Sequence, residues 1–134
     1  MTMTYHIERL PGEPIIVSTI LPGYSVVRDQ PNSDADTRAI LDQSDEPLYL
    51  VVDITRFKFN LDDVVRGANQ GGRGAESLWH HPKIKKLIWV SPSPVVRLAA
   101  RGLNSPTFGG IAAEVFDTID EALAYARAQE AGGS

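Results

Sequence analysis

The sequence predicts an α/β domain, a mixed central sheet of about five strands with about four helices packed on it. Three observations point there. From Leu48 onward, β-branched apolar runs alternate with segments of helical periodicity. Two of those runs, Leu48–Ile54 and Lys86–Ser91, are almost continuously apolar, the mark of strands covered on both faces at the centre of a parallel sheet. The chain has 134 residues, 43% of them hydrophobic and 22% charged, enough to bury one core and the size of one domain, 1–134.

Tyr5–Leu10 alternates apolar and polar residues and reads as a half-buried strand. Pro11-Gly12 is a turn signal, and Ile15–Ile20 follows as a second, β-branched strand. So short a connection implies a leading antiparallel pair. Residues 24–33 carry no readable pattern. A helix is expected from about Pro31 or Asp34 to Ser44, with Pro31 suited to the first turn and Asp34 and Asp36 early, where the helix dipole favours acids. Pro47 stops it, and the strand Leu48–Ile54 follows.

Asn60 can then cap a helix whose first turn holds Asp62 and Asp63. Leu61, Val65, Ala68, Gly72, Ala75 and Trp79 recur at steps of four and three, which predicts one helix over 61–79. Its glycines would let the backbone lie close to the sheet, and each costs about 1 kcal/mol against alanine, so it should be the softest helix. His80-His81-Pro82 ends it. After the strand Lys86–Ser91, Ser93-Pro94 supplies an N-cap and a proline at the first helical position, and the helix 94–101 should stop at Gly102 as its C′ residue. Residues 103–110 read as a loop and Ala113–Phe116 as the last strand. Thr118-Ile119-Asp120-Glu121 is a capping box opening a helix with Ile119, Ala122, Leu123 and Ala126 on one face. A disordered tail is expected over about 130–134.

Thirteen basic against 17 acidic residues give a net charge of −4, which argues against nucleic acid as a partner. The absence of cysteine excludes disulfides, thiolate metal sites and cysteine nucleophiles. No apolar stretch approaches the ~20 residues of a membrane span, and the first residues do not form a signal peptide, so a cytoplasmic protein is expected. No cofactor is implied.

In open α/β sheets, ligands bind beyond the carboxyl ends of the strands. That rule collects Asp53, Thr55, Ser91 and Ser93, then Asp117 and Thr118, and the helix start Asn60, Asp62 and Asp63. Helix capping explains several of them equally well. The cluster Gly67–Gly74 lies within a helical pattern and lacks the Lys-Ser/Thr ending of a phosphate loop. His80 and His81 are adjacent and do not share a helix face, so they make a poor metal pair. Asp53, Asp62 and Asp63 serve more simply as caps than as a metal site, and Trp79 and Trp89 read as core.

The run Leu50-Val51-Val52-Asp53-Ile54-Thr55, leading through Phe59 into a helix, and the ending Val115-Phe116-Asp117-Thr118-Ile119-Asp120-Glu121-Ala122-Leu123-Ala124 resemble the SpoIIAA-like branch of the STAS superfamily. That branch also looks like the lipid-binding SEC14 group. The resemblance covers about residues 5–128 and implies a mixed sheet in a bacterial regulatory protein. Anti-sigma-factor antagonists of the family carry a phosphorylatable serine that falls, within one residue, at Asp62. No serine or threonine lies between Asn60 and Asp63, so the phosphorylation switch does not carry over. An aspartate imitates a phosphate only in part, since phosphate brings a charge of about −2 and three acceptor oxygens.

Three functions follow as expectations. The first is a non-catalytic regulatory module that binds a protein partner through the edge Asn60–Val64. The second is a binder of a small apolar or lipid-like ligand, requiring an apolar pocket of a few hundred Å³ under the helix 61–79, roughly the usual ligand-site size. The third is a small hydrolase-type enzyme using Asp53 or Asp62, requiring an acid of raised pKa in a cleft with a second polar group in reach. A homodimer is a secondary expectation, from Ile16, Val17 and Ile20.

Overall fold

A computed structural model describes residues 3–58, 60–74 and 76–132. Phe59 and Ala75, which the sequence reading used, and the last two residues of the expected tail lie outside the described residues. The strands are β1 (Tyr5–Arg9), β2 (Ile15–Ile20), β3 (Leu48–Asp53), β4 (Ile84–Val90) and β5 (Ala113–Phe116). The helices are α1 (Val26–Gln43), α2 (Leu61–Gly72), α3 (Pro94–Leu103) and α4 (Ile119–Gly132). They form one mixed sheet in the order β1-β2-β3-β4-β5, with β1 antiparallel to β2 and every later pair parallel. The fold class and the leading antiparallel pair are therefore as the sequence predicts.

Two apolar layers flank the sheet. Ile16, Leu50 and Trp89 face Leu41 of α1, Ala68 of α2 and Val96, Ala100 and Leu103 of α3. Ile15, Val17, Val51 and Ile88 on the other face meet Ala122 and Ala126 of α4, with Ile119 and Leu123 packed beside them. The period-2 alternation of the strands makes both layers apolar, which is why β3 and β4 read as unbroken apolar runs.

Four helix boundaries differ from expectation. Helix α1 begins five residues before Pro31, with Ser25 as N-cap accepting from the Arg28 N–H at 3.2 Å, so Pro31 sits inside the helix. Helix α3 runs on to Leu103 through Gly102 and is capped by Asn104. The extra turn seats the fully buried Leu103, whose carbonyl accepts from the Ile111 N–H at 2.9 Å. The expected helix 61–79 is broken: α2 stops at Gly72, Gly74 takes φ +93°, and Leu78–His80 forms a separate 3-10 turn. The turn folds the Trp79 indole back onto α2 and beside Trp89, ring centroids 5.3 Å apart. A Cβ on Gly71 would stand 2.5 Å from that indole, and one on Gly72 would stand 2.9 Å from it. The glycines do permit a close approach, but to Trp79. The buried stripe of α2 is Ala68, Gly71 and Gly72, whereas Leu61 and Val65 are 62% and 49% exposed. At the C-terminal end α4 stays helical to Gly132, and Glu130 pairs with Lys85 at 3.0 Å.

Candidate functional site

The residues collected at the carboxyl edge of the sheet are engaged locally. Asp53 is buried and accepts from the Thr55 N–H at 3.0 Å and the Thr55 hydroxyl at 2.7 Å. Ser91 Oγ accepts from the Ser93 N–H, and Ser93 Oγ from the Val95 N–H as the cap of α3. Asn60 and Asp63 form a reciprocal capping box at the start of α2. Asp62 pairs with Arg66 one turn along at 3.0 Å, both side chains exposed. Asp117 pairs with Arg97 at 2.6 Å, and Thr118 Oγ accepts from the Glu121 N–H. His80 bonds the Gly72 carbonyl, and His81 bonds Asp42. These contacts order the strand-to-helix turns.

The sheet order explains why this edge does not open. A crevice forms where the strand order reverses and neighbouring helices pass to opposite faces. Here β2 to β5 follow one another without reversal, and α1, α2 and α3 share one face.

A cavity of about 110 Å³ lies instead beneath α1 and α2, towards the carboxyl ends of β2 and β3. Its floor includes Ile20, Leu50, Val52 and Ile54, and two aromatic pairs line it: Tyr24–Phe57 with centroids 5.8 Å apart, and Trp79–Trp89. It is smaller than the few hundred Å³ expected, because the Trp79 indole occupies the volume the glycines leave. Of the predicted site residues only Asp63 lines it. Asp53 follows Val52 and so points to the opposite face.

The wall contributed by α1 is polar. Gln30, Ser33, Asp34 and Thr37 recur at helical spacing on the inward side, and Gln30, Ser33 and Thr37 are buried. Gln30 Nε2 donates to the Gly67 carbonyl at 3.0 Å, tying α1 to α2. Ser33 Oγ meets the Tyr24 hydroxyl at 2.8 Å, and Thr37 Oγ1 donates to the Ser33 carbonyl at 2.9 Å. Burial raises the Asp34 carboxyl from 3.8 to about 6, against a hydrogen bond from Gln30 and the charge of Arg38. Burial likewise drives the Tyr24 hydroxyl far above the usual phenol range. Asp34 also borders a larger, shallow groove of about 430 Å³, lined by α1 including Arg38 and by Gln70, Glu76, Ser77 and Leu78, so it stands at the wall between cavity and surface. Sequence reasoning missed this stripe because an inward helix face is recognised by its apolar residues. The available signal was the unpatterned segment 24–33 itself.

No family profile matches the sequence, and no curated protein matches it either. Among solved structures, the chain is similar to an uncharacterized protein of the DUF3478 family with a SpoIIAA-like fold from Shewanella loihica PV-4. The TM-score is 0.54 at 18% identity, covering 91% of each chain. At that identity the likeness concerns the backbone architecture. The mixed sheet, four helices and near-complete coverage give the conclusion that this chain has a SpoIIAA-like α/β fold.

Proposed function

We propose that the protein is a non-catalytic binding module whose ligand is a small molecule held in the cavity between α1, α2 and the sheet. The observation that carries this reading is the polar stripe Gln30–Ser33–Asp34–Thr37, set inward against a chamber otherwise mostly aromatic and aliphatic, with Ser18 and Asp63. A helix gains most by burying apolar side chains, so a polar inner face needs another role. A few convergent polar groups and a carboxyl of perturbed pKa give the chamber the chemistry of a ligand site, though at about 110 Å³ it has room only for a ligand of a few non-hydrogen atoms. Catalysis has less support. Asp34, with Gln30 beside it, meets the criterion of an acid of raised pKa in a cleft with a second polar group in reach, but no histidine, lysine or arginine is among the described residues that line the chamber. Ser33, the hydroxyl next along, is occupied by Tyr24.

The test is protein-observed NMR with benzene and 1-butanol as probes. Shifts are expected at the indole N–H groups of Trp79 and Trp89 and at the amides of residues 30–37. Ala68→Leu, which fills the chamber from α2, should abolish them while unfolding remains cooperative. The reading fails if neither probe moves these signals.

A second reading keeps the protein partner. Leu61 and Val65 expose apolar surface one turn apart on α2, beside Asp62. A partner captured through this face should be lost on Leu61→Ser with Val65→Ser, a change that leaves the core untouched. Retention by that variant would exclude the face.

A further inference from the structure

The cavity lining also specifies a ligand class, an inference that rests on the binding reading above. We propose that the chamber takes a small ammonium compound of about five non-hydrogen atoms, and that Asp34 is its counter-ion. Size sets the first limit: a cavity of about 150 Å³ accepts benzene, and this one measures about 110 Å³. Charge sets the second. The titratable groups of the lining are Asp34, Asp63 and Tyr24, with no basic side chain among them. Arg38, the nearest cation on α1, donates to the Glu76 carbonyl at 3.0 Å and is not part of the lining. A carboxylate ligand would therefore meet like charge and no partner, whereas a cation would meet a carboxylate at the chamber wall.

The aromatic rings supply the rest of the recognition. Aromatic rings present large apolar surface that suits the alkyl body of such a ligand. The chamber presents four rings from four segments: Tyr24 before α1, Phe57 before α2, Trp79 after α2 and Trp89 on β4. Their two edge-to-face pairs, at interplanar angles of 80° and 65°, offer π surface in several directions. An ammonium group at Asp34 would leave its alkyl part against these rings and Val52 and Ile54. Gln30, which donates to the Gly67 carbonyl at 3.0 Å, lines the chamber beside Asp34.

The experiment compares three four-carbon probes on the full chain by 1H–15N NMR: n-butylammonium, 1-butanol and butyrate, each titrated at pH 7.5. The expected result is that butylammonium binds about tenfold more tightly than 1-butanol through its ion pair, and that butyrate leaves the Trp79, Trp89 and 30–37 signals in place. Asp34→Asn should bring butylammonium to within about twofold of the alcohol while 1-butanol binds unchanged. Butanol or butyrate binding as tightly as the amine would overturn the ammonium assignment and leave the cavity reading standing. So would an undiminished preference for the amine in Asp34→Asn. Silence of the cavity signals with all three probes would overturn both.

Discussion

Asp29 and Asp34, five positions apart on α1, are carboxylates pushed in opposite directions. Asp29 accepts from the Arg28 guanidinium and the Ser25 N–H at 2.8–2.9 Å, and these hold it well below the usual carboxylate range. Its stabilisation is present above about pH 4 and is lost as pH falls below that. Asp34 is raised to about 6, so the folded state favours its neutral form. That contribution is fully present below about pH 4 and is lost as pH rises through about 6. Asp34→Asn is therefore expected to stabilise the fold above pH 6.5 by about 1–3 kcal/mol and to flatten the slope between pH 4 and 6. Urea midpoints measured across that range check it; an unaltered slope would assign the titration to another group. A gain in stability on losing a ligand contact is the usual trade at a binding site. Gly71 makes the opposite case. Alanine is the better helix former by about 1 kcal/mol, but its Cβ would lie 2.5 Å from the rigid Trp79 ring. The clash outweighs the propensity, and Gly71→Ala should lower stability by about 1–2 kcal/mol in thermal or urea unfolding.

Among the elements, α1 was the hardest to read, and it supplies the polar wall of the cavity. Its C-terminal half has the buried Leu41 and the expected stop before Pro47. Its N-terminal half turns Gln30, Ser33 and Thr37 inward, so no apolar period marks it, and Pro31 imitates a first-turn residue. The true start is set by Ser25, whose Oγ accepts from the Arg28 N–H, and by Asp29, whose Oδ2 accepts from the Ser25 N–H. Pro31 then removes the donor that would reach the Val27 carbonyl. Pro31→Ala is expected to raise stability by about 1–2 kcal/mol, as a shift of the urea midpoint at constant slope. Helix α2 shows the reverse failure. Its steps of four and three were regular enough to suggest a helix to Trp79, but Gly74 ends the period with a left-handed residue and sends the tryptophan back. The caps Asn60, Ser93 and Thr118 were legible because each acts within three residues of itself.

For the molecule as a whole, the sheet order governs where a ligand can go. With α1, α2 and α3 on one face and α4 alone on the other, the space for a chamber lies under the three-helix layer. Helix α2 forms the roof, and its Gly67, Gly71 and Gly72 weaken it. Hydrogen exchange should therefore find the amides of α2 the least protected of the helical interior. Saturating butylammonium should slow them, since a ligand that binds only the closed state stabilises it by mass action. Equal protection of α2 and α3 would refute the soft roof.

The sequence by itself determined the strands, their grouping into a parallel sheet behind an antiparallel pair, and the caps that start α2, α3 and α4. Each depends on residues near one another in the chain, or on an alternation that any sheet imposes. Tertiary structure decided where α1 begins, why α2 breaks, and that Asp34 rather than Asp53 or Asp62 borders a chamber. Those outcomes depend on which distant side chains meet: Trp79 on Gly71, Gln30 on Gly67, Tyr24 on Ser33. Such pairings are set by the packing of layers, and no local period encodes them.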